Sequence, residues 1–323
     1  MEFFRNVNID WLGKKWYFLG FSLIFSVAGI VSMATHWARI GSPVPLGVDF
    51  RGGTQVQLQF AQTPDTNKVR EAMDAAGIRD SRIQNIRNVG QASSNDVLIS
   101  LPEQTNEAAL DTGREQIVNA VQAHYNNPFT VRNVQVVGPT VGKQLEKQAT
   151  LATLYSMLGM LIYLWFRFQL IYGIAAVVAC FHDTLITIGA FALTNQEISL
   201  TVIAAILTLV GYSMNDTIVV FDRIRENLRL SRRESLPDVV NRSINQTLSR
   251  TVLTSGLTFI TVLSLFIFGG QVLRGFSFAL VVGILIGTYS SIAVAAPMLV
   301  AWQEWRSEHG KAAALPAAKR SRV

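Results

Sequence analysis

Two acidic residues stand where an acid is costly. Asp183 lies near the middle of the apolar run Leu170–Thr194, next to His182, and Asp216 lies in the run Ile198–Phe221, within GYSMNDTIVVFDRIREN. A charge at the centre of a bilayer costs about 2.5–3.5 kcal/mol on insertion scales, so an intramembrane acid is functional by default. The chemistry open to such a carboxyl is to bind and release a proton. Asp216 falls six residues before Asp222, about 9 Å inside the cytoplasmic boundary at about 1.5 Å per residue. Arg250 stands at the start of the fifth run, in NQTLSRTVLTSG, at a depth that lets it pair with Asp216. Thr254 lies one turn above it on the same face. Asp216, Arg250 and Thr254, with Asp183 and Asn215, are the candidate proton-pathway residues.

Each has a plainer reading. Asp216 forms a purely structural ion pair with Arg250 or, as a carboxyl kept neutral, an interhelical hydrogen bond; Arg250 snorkels to the headgroups; Asp183 caps or pairs with a partner's helix. His182 is a packed polar residue, although its titration range suits a relay. Asn215 and Ser213 hydrogen-bond between helices. Two carboxylates on neighbouring helices also suggest an aspartyl protease dyad, which needs both acids at like depth; the depths expected for Asp183 and Asp216 differ.

The elements that must position these side chains are apolar runs. Of 323 residues, 50% are hydrophobic and only 15% charged, a balance that excludes a disordered chain. Six runs of about 18 residues or more are nearly free of charge: Trp16–Met33, Ala149–Phe166, Leu170–Thr194, Ile198–Phe221, Thr251–Gly270 and Gly275–Trp302. Each is long enough to span a hydrocarbon core of about 30 Å as a helix. The first is too long for a secretory signal and follows a charged leader, so it is expected to be retained. Gly283 and Gly287 in the sixth run permit close helix contact, within the chain or with a partner.

Lys and Arg flank these runs on one side. They include Arg5, Lys14, Lys15 and Arg167, seven Arg in Asp222–Arg250, and the tail from Arg306 to Arg322. The opposite short loops, Asn195–Glu197 and Gly269–Arg274, carry only Arg274. The positive-inside rule puts both termini in the cytoplasm and accounts for the basic loop without nucleic acid. Val240, Ile244 and Leu248 recur every four residues in Leu236–Leu248 and suggest an amphipathic helix lying on that surface.

The expected organisation is residues 1–15 cytoplasmic, 16–37 the first helix, 38–147 an outside domain, 148–302 helices two to six with the basic loop 222–250, and 303–323 a cytoplasmic tail. Within the outside domain Thr54–Phe60 alternates as a half-buried strand, Asp65–Ala76 has helical spacing with Gly77 as its stop, and Ile83–Val89 and Asp96–Leu101 read as strands around the polar turn Gly90–Asn95. Glu107–Tyr125 reads as a helix and Phe129–Val137 as the last strand. The order βαββαβ is that of a ferredoxin-like α+β domain inserted into an α-helical polytopic membrane protein. The domain joins the helices through GVDFRGGT and VGPTVGK. The second falls one residue short of a phosphate loop. Gly52, Gly53, Gly138 and Gly142 are read instead as tight backbone junctions. A single cysteine, Cys180, and four dispersed His exclude an internal disulfide, and no metal or catalytic-triad spacing occurs.

Several stretches together resemble the SecF family, the smaller subunit of the bacterial SecD–SecF protein-export complex, in the resistance-nodulation-division superfamily. They are GVDFRGGT, VGPTVG, FHDTLIT, GYSMNDTIVVFDRIREN, NQTLSRTVLTSG and FGG…LRGFSFALVVGILIGTYSSI, from about Gly47 to Ala296. The resemblance implies a bacterial inner-membrane protein without enzymatic activity and without a cofactor, protons being the coupling ion. It implies a separate SecD-like subunit, work beside a SecY-type translocon in late steps of translocation, and use of the proton-motive force to pull or release preproteins on the outer face, with proton binding at Asp216 coupled to Arg250 driving movement of the outer domains. It assigns the acid, Arg and Thr of the family's proton pathway to Asp216, Arg250 and Thr254. Two alternatives stay open: a non-conducting scaffold for a SecD-like partner, and half of another exporter of the same superfamily.

Overall fold

The computed structural model describes residues 8–78, 81–86, 95–101, 110–168, 170–230 and 234–309. In chain order its elements are α1 (Lys15–Ile40), α2 (Val48–Arg51), β1 (Gly53–Phe60), α3 (Thr66–Ala75), β2 (Arg82–Ile86), β3 (Asp96–Leu101), α4 (Leu110–His124), β4 (Phe129–Val137), α5 (Pro139–Arg167), α6 (Leu170–Thr194), α7 (Leu200–Leu230), α8 (Leu236–Phe268) and α9 (Gly270–Ser290). A π-helical turn (Ser291–Ala295) and α10 (Ala296–Glu308) follow. Among the described residues six helical spans are long and apolar enough to cross a membrane: α1, α5, α6, α7, α8 and the α9–α10 unit.

The inserted domain is a four-stranded antiparallel sheet in the order β2-β3-β1-β4. Its apolar core forms because β1 alternates: Val56, Leu58 and Phe60 point to one face and are buried. There they meet Val69 and Met73 of α3 and Ile117 and Val121 of α4. Asp65 caps α3 by accepting from the Asn67 N–H at 2.9 Å, and Gly77 ends it with a φ of 82°. The turn expected at Gly90–Asn95, residues 87–89 of the second strand and 107–109 of the second helix lie outside the described residues, Asn95 excepted.

In the bundle α6, α7 and α9 form the interior, while α1, α5 and α8 surround them with large apolar side chains exposed. Gly29 of α1 meets Gly189 of α6 backbone to backbone. Seven residues earlier on each helix, Ser22 meets His182 at 2.5 Å, so α1 and α6 run parallel. Gly283 faces Leu209 and Gly287 faces Ser213. Both therefore serve packing of α9 on α7 within the chain.

The basic segment Asp222–Arg250 is mostly helical. α7 continues to Leu230 and α8 begins at Leu236, where Ser235 accepts from the Asp238 N–H. The helix expected to lie on the membrane surface is thus the first third of α8. Val240, Ile244 and Leu248 are buried, but against the bundle, because no breaker interrupts the 33-residue helix after Pro237.

Candidate functional site

The two intramembrane acids lie where α6, α7, α8 and α9 meet, and both are buried, at 1% exposure for Asp183 and 2% for Asp216. Asp183 Oδ2 accepts from Ser213 of α7 at 2.5 Å and from Ser290 of α9 at 2.8 Å. Its Oδ1 lies 3.0 Å from His182 Nδ1, and His182 Nε2 meets the Ser22 hydroxyl of α1. His182 thus bridges Ser22 of α1 and Asp183 through its two ring nitrogens. Asp216 Oδ2 accepts from Ser255 of α8 at 2.6 Å and from Thr288 of α9 at 3.4 Å. Thr217, the residue after Asp216, shares a hydrogen bond of 3.0 Å with Ser291, the residue after Ser290.

Hydroxyls suit such a site because each donates to a carboxylate and accepts from a carboxylic acid. The cluster therefore serves either protonation state without changing its shape. The π-helical turn Ser291–Ala295 follows Ser290 directly, and π-bulges recur at functional sites.

The pairing of Asp216 with Arg250 does not occur: among the described residues Asp216 meets hydroxyls, and Arg250 is exposed and forms no ion pair. Thr254 is exposed too, its hydroxyl turned back to the Arg250 carbonyl at 3.0 Å. The reason is helical phase. The buried face of α8 carries Ser243, Thr247, Thr251 and Ser255, each four residues from the last, and Arg250 and Thr254 lie one residue, about 100°, around from it. Small hydroxyls let α7 approach; an Arg there would hold it off. Asn215 is likewise exposed, on a face of α7 with Ala204, Thr208 and Gly211.

The two acids also lie at closer depths than their sequence positions suggest. Ser213 binds Asp183 and lies three residues from Asp216 on α7, a rise of about 4.5 Å, so the acids are within one turn of each other. No hydrogen bond joins the two carboxylates among the described residues, as a shared-proton dyad requires.

At the junctions, Gly52 and Gly53 have φ of 75° and 119°, which a side chain resists. A Cβ on Gly142 would stand 2.7 Å from the Phe50 carbonyl oxygen, so glycine is needed where α5 crosses α2. Gly138 has an ordinary φ of −70° and precedes α5 as its N-cap. Three junction residues are absent from the sequence-based candidates. Asp49, buried beside the glycines, accepts from the Leu200 N–H at 2.9 Å and from Gln135. Arg82 of β2 pairs with Glu197 at 3.0 Å and donates to the Asn195 carbonyl at 2.8 Å. Burial raises the Glu197 carboxyl above its usual range, against the pull of Arg82 and Arg51.

Comparison with known proteins gives these features a family. Residues 117–305 match the family described as protein export membrane protein SecD/SecF, C-terminal, and residues 40–64 match the SecD/SecF GG motif. The protein translocase subunit SecF of Koribacter versatilis is 54% identical over 97% of this chain and 96% of its own length. That of Calditerrivibrio nitroreducens is 43% identical over 93% and 96%. The crystal structure of SecDF, a translocon-associated membrane protein from Thermus thermophilus, superposes with a TM-score of 0.80 at 34% identity. This chain, 93% of it covered, spans 39% of that longer chain. A mostly helical, multi-pass membrane protein with a small antiparallel sheet, the chain belongs to the SecF family of protein translocase subunits.

Proposed function

We propose that the chain is the SecF subunit of a proton-driven complex that assists preproteins through a SecY-type translocon. The observation that carries this is Asp216: a carboxyl buried in the helix bundle with hydroxyl partners and, among the described residues, no cation. In this account it binds and releases a proton in each cycle, with the proton as coupling ion and no other cofactor. One charge crossing the membrane potential supplies about 2.3 kcal/mol per 100 mV, enough to bias a two-state transition more than tenfold. From Asp216 the α8 hydroxyls Ser255, Thr251, Thr247 and Ser243 lead to Asn227, which bonds Ser243 at 2.8 Å; they mark a route toward the basic end.

A SecD-like subunit supplies the other half of the bundle. Its place is the exposed face with Arg250 and Thr254 on α8 and Thr208, Gly211 and Asn215 on α7, small and polar residues that suit helix contact better than lipid. Arg250 reaches Asp216 only in another arrangement of that assembly, and the pair alternates between the two. Lys and Arg asymmetry supports a topology with both termini in the cytoplasm and the inserted domain outside, and the membrane in this account is the bacterial inner membrane. The domain's strand order and its βαββαβ sequence of elements support its reading as ferredoxin-like. The role is transport, not catalysis.

The test is preprotein release from vesicles under a proton gradient. Asp216→Asn is expected to assemble normally and lose the stimulation, Arg250→Met to do nearly the same, and Arg250→Lys to keep part of it. Normal stimulation with Asp216→Asn would make the residue structural.

A further inference from the structure

Helix α7 carries Asp216 and the Ser213 hydroxyl that holds Asp183. Its N-terminus, like that of any helix, presents N–H groups without helical partners. Its first turn contains no acid. The Ser199 hydroxyl, which stands where a local cap belongs, bonds the Thr201 hydroxyl at 2.8 Å. The Leu200 N–H instead donates to Asp49, 151 residues earlier in the chain. Asp49 lies in the short helix α2, two residues before Arg51 and three before the positive-φ pair Gly52 and Gly53 that opens β1. Its other oxygen is held by Gln135 of β4.

Two further contacts join the same parts. Leu46 and Ile198 form a parallel bridge, with Gly47 N–H donating to the Ile198 carbonyl at 2.9 Å and Ile198 N–H to the Pro45 carbonyl at 2.8 Å. Arg82 of β2 holds Glu197 and Asn195. Among the described residues the short segment Asn195–Leu200 is thus held by the inserted domain and its junction at three points, of which Asp49 alone engages the first residue of α7.

We infer that Asp49 is the positioning residue that couples the inserted domain to the helix bearing the proton site. Sixteen residues separate Leu200 from Asp216, about 24 Å of continuous helix. A shift of α7 produced at Asp216 arrives at Leu200 as a rigid displacement, and the carboxylate hands it to β4 and, through Gly52 and Gly53, to β1. The glycines permit the strand to leave the motif sharply, while the acid fixes that turn to α7. A negative charge at a helix N-terminus also has a favourable interaction with the helix dipole. The inference rests on the proton-binding role of Asp216.

The experiment uses the full chain with its membrane partner in vesicles. Spin labels on Gln122→Cys, exposed on α4, and Leu193→Cys, exposed at the end of α6, report the distance between domain and bundle with and without a proton gradient. The same vesicles report gradient-stimulated preprotein release. Asp49→Ala is expected to assemble like wild type, to lose the gradient-dependent distance change, and to lose about tenfold in stimulated release. Asp49→Asn keeps an oxygen for the Leu200 N–H and is expected to retain at least half of both, a rescue that a role in bulk folding does not predict. Wild-type distance change and release with Asp49→Ala overturn the inference. Loss with Asp49→Ala but normal response with Asp216→Asn leaves the coupling standing and removes the proton role of Asp216. A wild-type complex without any gradient response overturns both.

Discussion

The contact between Gly29 and Gly189 gives a prediction whose size follows from the geometry. A Cβ on Gly189 would stand 2.7 Å from the Gly29 Cα, and one on Gly29 would stand 3.0 Å from the Gly189 Cα. Carbon atoms rest at about 3.5–4.0 Å, so Gly189→Ala must push α1 off α6 by about 1 Å. Backbone cannot rotate away as a side chain does. Overpacking of this kind costs about 1–3 kcal/mol. Ala also gains about 1 kcal/mol over Gly in helix propensity, which masks part of the cost. Gly20 of α1 removes that ambiguity, because a Cβ there meets nothing within 4 Å. The propensity gain is common to both substitutions and cancels. Gly189→Ala is therefore expected to be about 1–3 kcal/mol less stable than Gly20→Ala. The assay is unfolding of the full-length protein from mixed micelles by titration with a denaturing detergent, followed by circular dichroism. The Ser22–His182 contact lies seven residues along the same interface. Ser22→Ala should then cost less in the Gly189→Ala background than alone, since parted helices have already lost that bond. Equal stability of Gly189→Ala and Gly20→Ala, with an undiminished Ser22→Ala effect, would refute the packing argument.

Ser213→Ala and Ser290→Ala each strip one hydroxyl from Asp183 Oδ2; each is expected to cost about 1–3 kcal/mol by the same titration, and much less once Asp183 is replaced by Leu. Burial raises the Glu197 carboxyl, so the folded junction binds this proton more tightly than the unfolded chain does. Its contribution is present below the ordinary Glu range and is lost as pH rises through the raised value. Hydrogen exchange of Asn195–Leu200, corrected for intrinsic pH dependence, should show more protection as pH falls through that window, and Glu197→Gln should abolish the change. For topology, Asn95→Cys and Ser235→Cys should label from opposite sides of the membrane, against a background in which Cys180 is buried; labelling from one side would end the six-span arrangement.

The helices were legible because burial in a membrane demands long apolar runs, and α6 has the bounds Leu170–Thr194 that its run predicts. The sheet was legible for a similar reason: Val56, Leu58 and Phe60 alternate with Gln55, Gln57 and Gln59, and one face must be covered. What sequence inspection misplaced is the azimuth of α8. Depth along a helix follows from counting, but facing depends on which neighbour packs, and Arg250 attracted attention by its charge. A weaker signal was present in Ser243, Thr247, Thr251 and Ser255, four small hydroxyls at a constant spacing of four. Ser290 and Ser291 gave less warning, since they are two adjacent serines at the junction of α9 and the π-helical turn with no repeat at helical spacing around them. Asp49 gave none as a cap, because its helix begins 151 residues later, and no local pattern reports so distant a partner.

In the proposed mechanism Asp216 itself gains and loses a proton as the complex works. Infrared difference spectroscopy of the assembled complex in oriented membranes reads this directly, through the C=O stretch that a carboxylic acid has and a carboxylate lacks. When the proton gradient is applied and collapsed, a carboxylic band is expected to appear and disappear in wild type and to be missing from the Asp216→Asn difference spectrum. An identical band change in Asp216→Asn would contradict it.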